Sequence, residues 1–305
     1  MMIGKTKKLD FSTLFLLIFF SLLVNSFIFS NLFIVNIFLT FFFVSLLITK
    51  FGINLINRLN LRQNIRKELP LNHFTKNSTP TMGGLFIILP FLFLLLVLSN
   101  KFNSIGILLL FLSTLGFFII GFLDDYLSIT NKKNTGLKAI EKFSLQGLIS
   151  ILFIVLASQG NYISPLINIS NNWNIDTNTI ILPICFITLV GLSNAVNLTD
   201  GLDGLATGCS SIVFYGLGTE IFIKGQKELI IYGLICFAMS GLCMGFLKFN
   251  KYPAKIFMGD TGSLTIGASL GTISILTNSF FTLFIISGIF ITEALSVMIQ
   301  VSFFK

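Results

Sequence analysis

Charge is scarce in this chain. Only 10% of its 305 residues are Asp, Glu, Lys or Arg, 54% are hydrophobic, and the mean hydropathy is +0.92. A water-soluble globular domain does not have that balance. Histidine is reduced to one, His73, in a polar stretch where a lone imidazole is more often solvated than catalytic. The four cysteines, Cys185, Cys209, Cys236 and Cys243, all lie in apolar runs and lack Cys-x-x-Cys spacing. They read as small buried hydrophobes, with neither a disulfide nor a zinc site expected. The net charge is +8, but no Lys/Arg-rich run interleaved with aromatics is present, so nucleic acid is not an expected partner. Strand-like alternation is missing too, which excludes a membrane β-barrel.

Long apolar runs take the place of charge. They fall at about residues 11–49, 82–99, 104–122, 143–158, 179–196, 205–223, 229–247, 262–277 and 280–300. Runs of about 18 or more residues read as membrane spans. The first is too long for one span, and we divide it near Ser30–Asn31 into a signal anchor and a second span. A single long tilted helix is the alternative. Lys5, Lys7 and Lys8 resemble the start of a signal peptide, but no small-residue cleavage site ends the run. The expected fold is therefore all-α: a polytopic transmembrane helical protein with about ten spans, in one integral membrane domain over residues 1–305, with 1–30 an extra N-terminal span.

Alternating the spans places residues 1–10, 50–81, 123–142, 248–261 and the C-terminus on one side, and these hold 17 of the 20 Lys and Arg residues. The other side holds Lys101, Lys224 and Lys227. That bias predicts the first set in the cytoplasm of a cell membrane, with anionic lipid headgroups as neighbours. The loop at 159–178 then faces outward, with Trp173 as an interfacial anchor.

Five of only twelve acidic residues fall on the expected cytoplasmic edge, in three motifs. The first is Gly-Phe-Leu-Asp124-Asp125-Tyr. The second is 194–208, Asn-Ala-Val-Asn-Leu-Thr-Asp-Gly-Leu-Asp-Gly-Leu-Ala-Thr-Gly, carrying Asp200 and Asp203. The third is Phe257-Met-Gly-Asp260-Thr-Gly-Ser. If 194–208 is helical, Asn197, Asp200 and Asp203 form one polar stripe by their i+3 steps. Charges near hydrocarbon are costly unless a partner or a task holds them there. Adjacent carboxylates ionise together only when a cation compensates, and a hard ion such as Mg²⁺ with phosphate oxygens suits them. The plainer alternatives are hydrated loop acids and glycines that merely let helices pack. Among the nearby lysines, most read as positive-inside charges. Lys76 stands out because it precedes the Gly83-Gly84 turn into a span.

At these residues the chain resembles the polyprenyl-phosphate N-acetylhexosamine-1-phosphate transferases, and most closely their muramoyl branch. The matching strings are Thr79-Pro-Thr-Met-Gly-Gly84, Gly121-Phe-Leu-Asp-Asp-Tyr126, 194–206, 250–264 and Glu293-Ala-Leu-Ser-Val-Met-Ile-Gln300, covering about residues 50 to 305. The resemblance implies transfer of phospho-MurNAc-pentapeptide from UDP-MurNAc-pentapeptide to undecaprenyl phosphate on the cytoplasmic face, with Mg²⁺ as cofactor. It implies Asp260 as metal ligand, Asp124 and Asp125 as the acidic pair, with Asp124 activating the lipid phosphate, and Asp200 and Asp203 as further acids needed for activity. Lys76 joins that catalytic set. Thr81, Lys142, Asn197, Asn250 and Phe257 match positions lining the substrate cleft, where Phe257 could stack on uracil.

Two departures stand out. The family often has a lysine where this chain has Ser128, a charge that Lys132 or Lys133 could replace. The family also continues past the Glu293–Gln300 stretch with a histidine-bearing loop and a last span. Residues 31–305 are therefore expected to be a transferase core without those parts. Three other functions stay open from sequence: a UDP-GlcNAc-using transferase, a cation-coupled transporter, and a degenerate non-catalytic relative. A homodimer is likewise left open.

Overall fold

Lipid tails are as apolar as leucine, so helices in a bilayer are drawn together by close packing and by pairing polar groups. A computed structural model describes residues 11–28, 32–58, 79–130, 136–170 and 173–303. Among the described residues, eight helices are long and apolar enough to cross a membrane: α1 (Phe11–Ile28), α2 (Phe33–Arg58), α3 (Leu85–Phe102), α4 (Ile105–Thr130), α5 (Ala139–Gln159), α6 (Ile181–Thr199), α7 (Leu205–Lys224) and α8 (Ile230–Asn250). The first apolar run is thus two helices. α9 (Asp260–Leu276) has 17 residues, the short end of a spanning length.

The expected span at 280–300 is not one helix. It is α10 (Phe280–Ile286) and α11 (Gly288–Phe303), bent by 66°. The Ser287 hydroxyl donates to the Leu283 carbonyl at 2.6 Å, and the chain turns there. Counting the bent pair once gives nine spans, and α9 is the tenth apolar run.

α9 is the axis of the bundle. Every residue from Thr261 to Leu276 is buried. Its composition allows this, because Gly, Ser and Thr let neighbouring backbones come close. A Cβ on Gly267 would stand 2.5 Å from the Leu192 carbonyl of α6. Against α4, Ser113 pairs with Thr272 at 2.8 Å and Thr114 with Ser269 at 3.2 Å. Such bonds average about 0.6 kcal/mol in a membrane, so they fix register more than stability.

A second packed group joins α2, α7 and α8. Gly241 and Gly245 of α8 press on the Phe38 and Phe42 carbonyls of α2, and the Ser45 hydroxyl donates to the Leu242 carbonyl at 2.8 Å. α1 lies against this group, with Asn25 bonded to Tyr215 and, at 3.2 Å, to Thr219 of α7.

At the end of the bundle opposite the acidic motifs, β1 (Leu166–Ser170) and β2 (Trp173–Asp176) form an antiparallel hairpin. Trp173 is 70% exposed there. At the same end Lys224 donates to the Thr277 and Asn278 carbonyls, each at 3.0 Å, and pairs with Glu220 at 2.8 Å. Ser279 donates to Glu220 at 2.8 Å and closes the network around the end of α9.

Candidate active site

The acidic motifs meet where α4, α6 and α9 converge. Gly121 makes the meeting possible, because a Cβ there would stand 2.2 Å from the Asp260 carbonyl oxygen. One turn further along the same face of α4 comes Asp125, with Asp124 beside it. Ligand oxygens of Asp124, Asp125 and Asp260 all lie within 4.8 Å of one another.

Asp260 opens α9. Its Oδ1 accepts from Asn197 Nδ2 at 2.7 Å, and its Oδ2 is ion-paired with the Lys142 ammonium on α5. Asn197 also donates to Ser263 Oγ at 2.8 Å, and Ser263 donates to the Gly259 carbonyl at 3.0 Å. Asp124 Oδ1 accepts the Leu137 N–H at 3.0 Å. Asp125 is buried, and both its oxygens accept bonds from the start of α9.

The stripe expected over 194–208 is not a single helical face. α6 ends at Thr199, turns occupy 200–204, and α7 begins at Leu205. Gly201 and Gly204 favour the turn, and Gly204 has φ 78°. Only Asn197 is helical among the three. Asp200 still faces the centre: burial, then the charges of Asp260 and Asp125, push its carboxyl well above the usual carboxylate range. Asp203 instead accepts the Ala254 N–H at 3.1 Å and ties down the 250–258 loop.

Asn250, expected to line the cleft, is 1% exposed. Its amide accepts from Thr207 at 2.8 Å and donates to the Ile256 carbonyl at 3.0 Å, so its polar atoms serve the loop. That loop pairs with the Thr79–Gly84 string. Phe257 N–H donates to the Pro80 carbonyl, Gly83 N–H to Phe257 and Gly84 N–H to Met258, all at 2.8 Å. Phe257 is half-buried beside it. Thr81 is buried, and its hydroxyl has no protein partner among the described residues. Lys76, His73, Lys132 and Lys133 lie outside the described residues.

Thr261 and Ser263 are the site residues that the sequence reading passed over. Their signal was present, since Ser and Thr in the first turn of a helix often bond its free N–H groups and side chains. Gln146, fully buried, was also missed; it accepts from Asn194 at 2.6 Å one turn below Lys142.

Three convergent carboxylates offer hard oxygen donors, the set a divalent cation takes. They face a single described lysine, and carboxylates this close disfavour one another's ionisation, a repulsion that a cation would relieve. The donor set therefore fits a divalent ion, with Asp124 the residue whose oxygens are least committed and Asp260 held between Asn197 and Lys142.

An apolar groove of about 590 Å³ runs along α6 between the hairpin, α10 and α11. Its lining reaches Ala195, two residues from Asn197.

A helical bundle with this centre at one end and an apolar groove beside it is an integral membrane transferase. The chain belongs to glycosyl transferase family 4, whose family model matches residues 107–278. A phospho-N-acetylmuramoyl-pentapeptide-transferase signature matches residues 76–88. A protein of Prochlorococcus marinus subsp. pastoris with that transferase name is 75% identical over the whole chain, which covers 85% of its length. One from Prochlorococcus marinus strain MIT 9301 is 61% identical, with the chain covering 85% of it. One from Synechococcus sp. strain CC9605 is 41% identical over 83% of this chain and 73% of its own length.

Proposed function

We propose that this protein transfers phospho-MurNAc-pentapeptide from UDP-MurNAc-pentapeptide to undecaprenyl phosphate, giving lipid I and UMP in peptidoglycan synthesis. The observation that carries the proposal is the convergence of Asp124, Asp125 and Asp260 beside Lys142, in a chain that its two Prochlorococcus relatives match over its whole length. A lipid phosphate oxygen attacks the phosphorus bonded to the sugar, and the bond from that phosphorus to the UMP oxygen breaks. Asp124 and Asp260 would hold Mg²⁺, which would supply positive charge against that building on the diphosphate.

The chain's own residues do the rest. Asn197 fixes one oxygen of Asp260. In this reading Lys142 moves from Asp260 to a substrate phosphate, and Asp124 orients the attacking phosphate or holds its proton. Thr81, Phe257 and Lys76 belong to the segments that would contact the nucleotide. The groove along α6 suits a polyprenyl chain, because it is apolar and its lining stops beside Asn197. The excess of Lys and Arg in the loops on the acidic side supports a cytoplasmic active face in the cytoplasmic membrane.

The test is Mg²⁺-dependent UMP release by purified protein in detergent with undecaprenyl phosphate. UDP-MurNAc-pentapeptide should support it, UDP-GlcNAc should not compete, and Asp260→Asn should abolish it. Faster turnover with UDP-GlcNAc would move the assignment to the other branch of the family.

A further inference from the structure

Asp125 differs from its two acidic neighbours in what its oxygens do. Oδ1 accepts the Asp260 N–H at 3.1 Å. Oδ2 accepts the Thr261 N–H at 2.9 Å and the Thr261 hydroxyl at 2.6 Å. The first N–H groups of a helix have no partner within it, and normally a Ser, Thr, Asp or Asn at the cap supplies one. In α9 the cap is Gly259, which has no side chain to offer. Gly259 has φ 74°, and a Cβ there would stand 2.5 Å from Asp125 Oδ2. The missing local cap and the space for a foreign one coincide. Gly121, one turn earlier on α4, brings the two helices close enough for the carboxylate to arrive.

We infer that Asp125 is a positioning residue: it caps α9 from α4, aims Asp260 into the centre, and does not ligate the cation. The last clause rests on the proposed metal reading; the cap does not. Three donors already occupy Asp125, one of them through a short hydroxyl bond, and the residue is buried. Asp124 gives one oxygen to Leu137 and is partly exposed.

Two readouts test this on the full chain in detergent. Hydrogen exchange of the segment 257–265 reports the cap. Asp125→Ala, which removes every acceptor oxygen, should quicken it roughly tenfold, the size of effect that loss of an N-cap brings. Thr261→Val, a milder change that leaves Asp125 in place, should quicken it less and add little to Asp125→Ala. Thr261→Val carries the same test if Asp125→Ala does not fold. Unchanged exchange in Asp125→Ala, or simple additivity of the two, would overturn the inference.

Ligation is read with cadmium, which prefers thiolate. Against the parent protein with its own cysteines, Asp260→Cys should gain a cadmium–thiolate absorption band and Asp125→Cys should not. A band in Asp125→Cys would make Asp125 a ligand and refute its positioning role. Quickened exchange together with no band in Asp260→Cys would instead defeat the metal reading and leave the cap standing.

Discussion

The Lys142 ammonium holds the Asp260 carboxylate across the junction of α5 and α9. A lysine and a divalent cation cannot both take the same oxygen cheaply, so the pair sets up a competition. Lys142→Gln should tighten Mn²⁺ binding roughly tenfold, about 1.4 kcal/mol, by paramagnetic resonance titration. The same variant should lose roughly a hundredfold in turnover, the loss typical when one charge-stabilising donor is removed.

Asn197 bonds both Asp260 and Ser263 through one amide nitrogen. Asn197→Leu keeps the size of the side chain and removes the bonds. We expect kcat to fall about 10- to 100-fold, corresponding to about 1–3 kcal/mol for an orphaned polar partner. The Michaelis constant for the lipid acceptor should move little, which steady-state kinetics with varied undecaprenyl phosphate would show.

Gly121→Ala would drive a methyl into the backbone of Asp260 and Thr261, 2.2 Å from the nearest atom. Overpacking of this kind costs about 1–3 kcal/mol, and here it also separates α4 from α9. Both thermal stability and UMP release should fall. Gly216→Ala meets nothing closer than 3.6 Å and serves as the control, with stability unchanged or slightly raised.

Lys224 and Glu220 form a largely buried pair at the far end of α9. Lys224→Met leaves Glu220 unpaired and should destabilise the protein by about 3–5 kcal/mol. Replacing both by Met should recover most of that. Turnover per folded molecule should stay the same in either case, because the network lies at the other end of the bundle. Thermal unfolding and active-fraction kinetics on one preparation would check both statements.

Much of the fold was legible because hydropathy is written directly in the apolar runs. The division of the first apolar run into α1 and α2 and the set of helices follow from length alone, although Ser30–Asn31, where the sequence reading divides it, lie outside the described residues. Two features were not legible. Hydropathy does not distinguish burial by lipid from burial by other helices, so the Gly/Ser/Thr-rich 262–277 reads as one more span and not as the axis. The bend at Ser287 sits inside an apolar stretch that carries no proline. At the site, the acidic edge was legible from spacing, but the division of labour was not. The i+3 stripe assumed a helix that Gly201 and Gly204 end, and Asp203 and Asn250 turned out to serve the loop that holds Phe257. Asp125 reads as the twin of Asp124 until the start of α9 is placed against it.

α9 is surrounded by protein from Thr261 to Leu276. Its sequence therefore answers to α4 and α6 and not to hydrocarbon, and a change on either neighbour is transmitted to the helix that Asp260 begins.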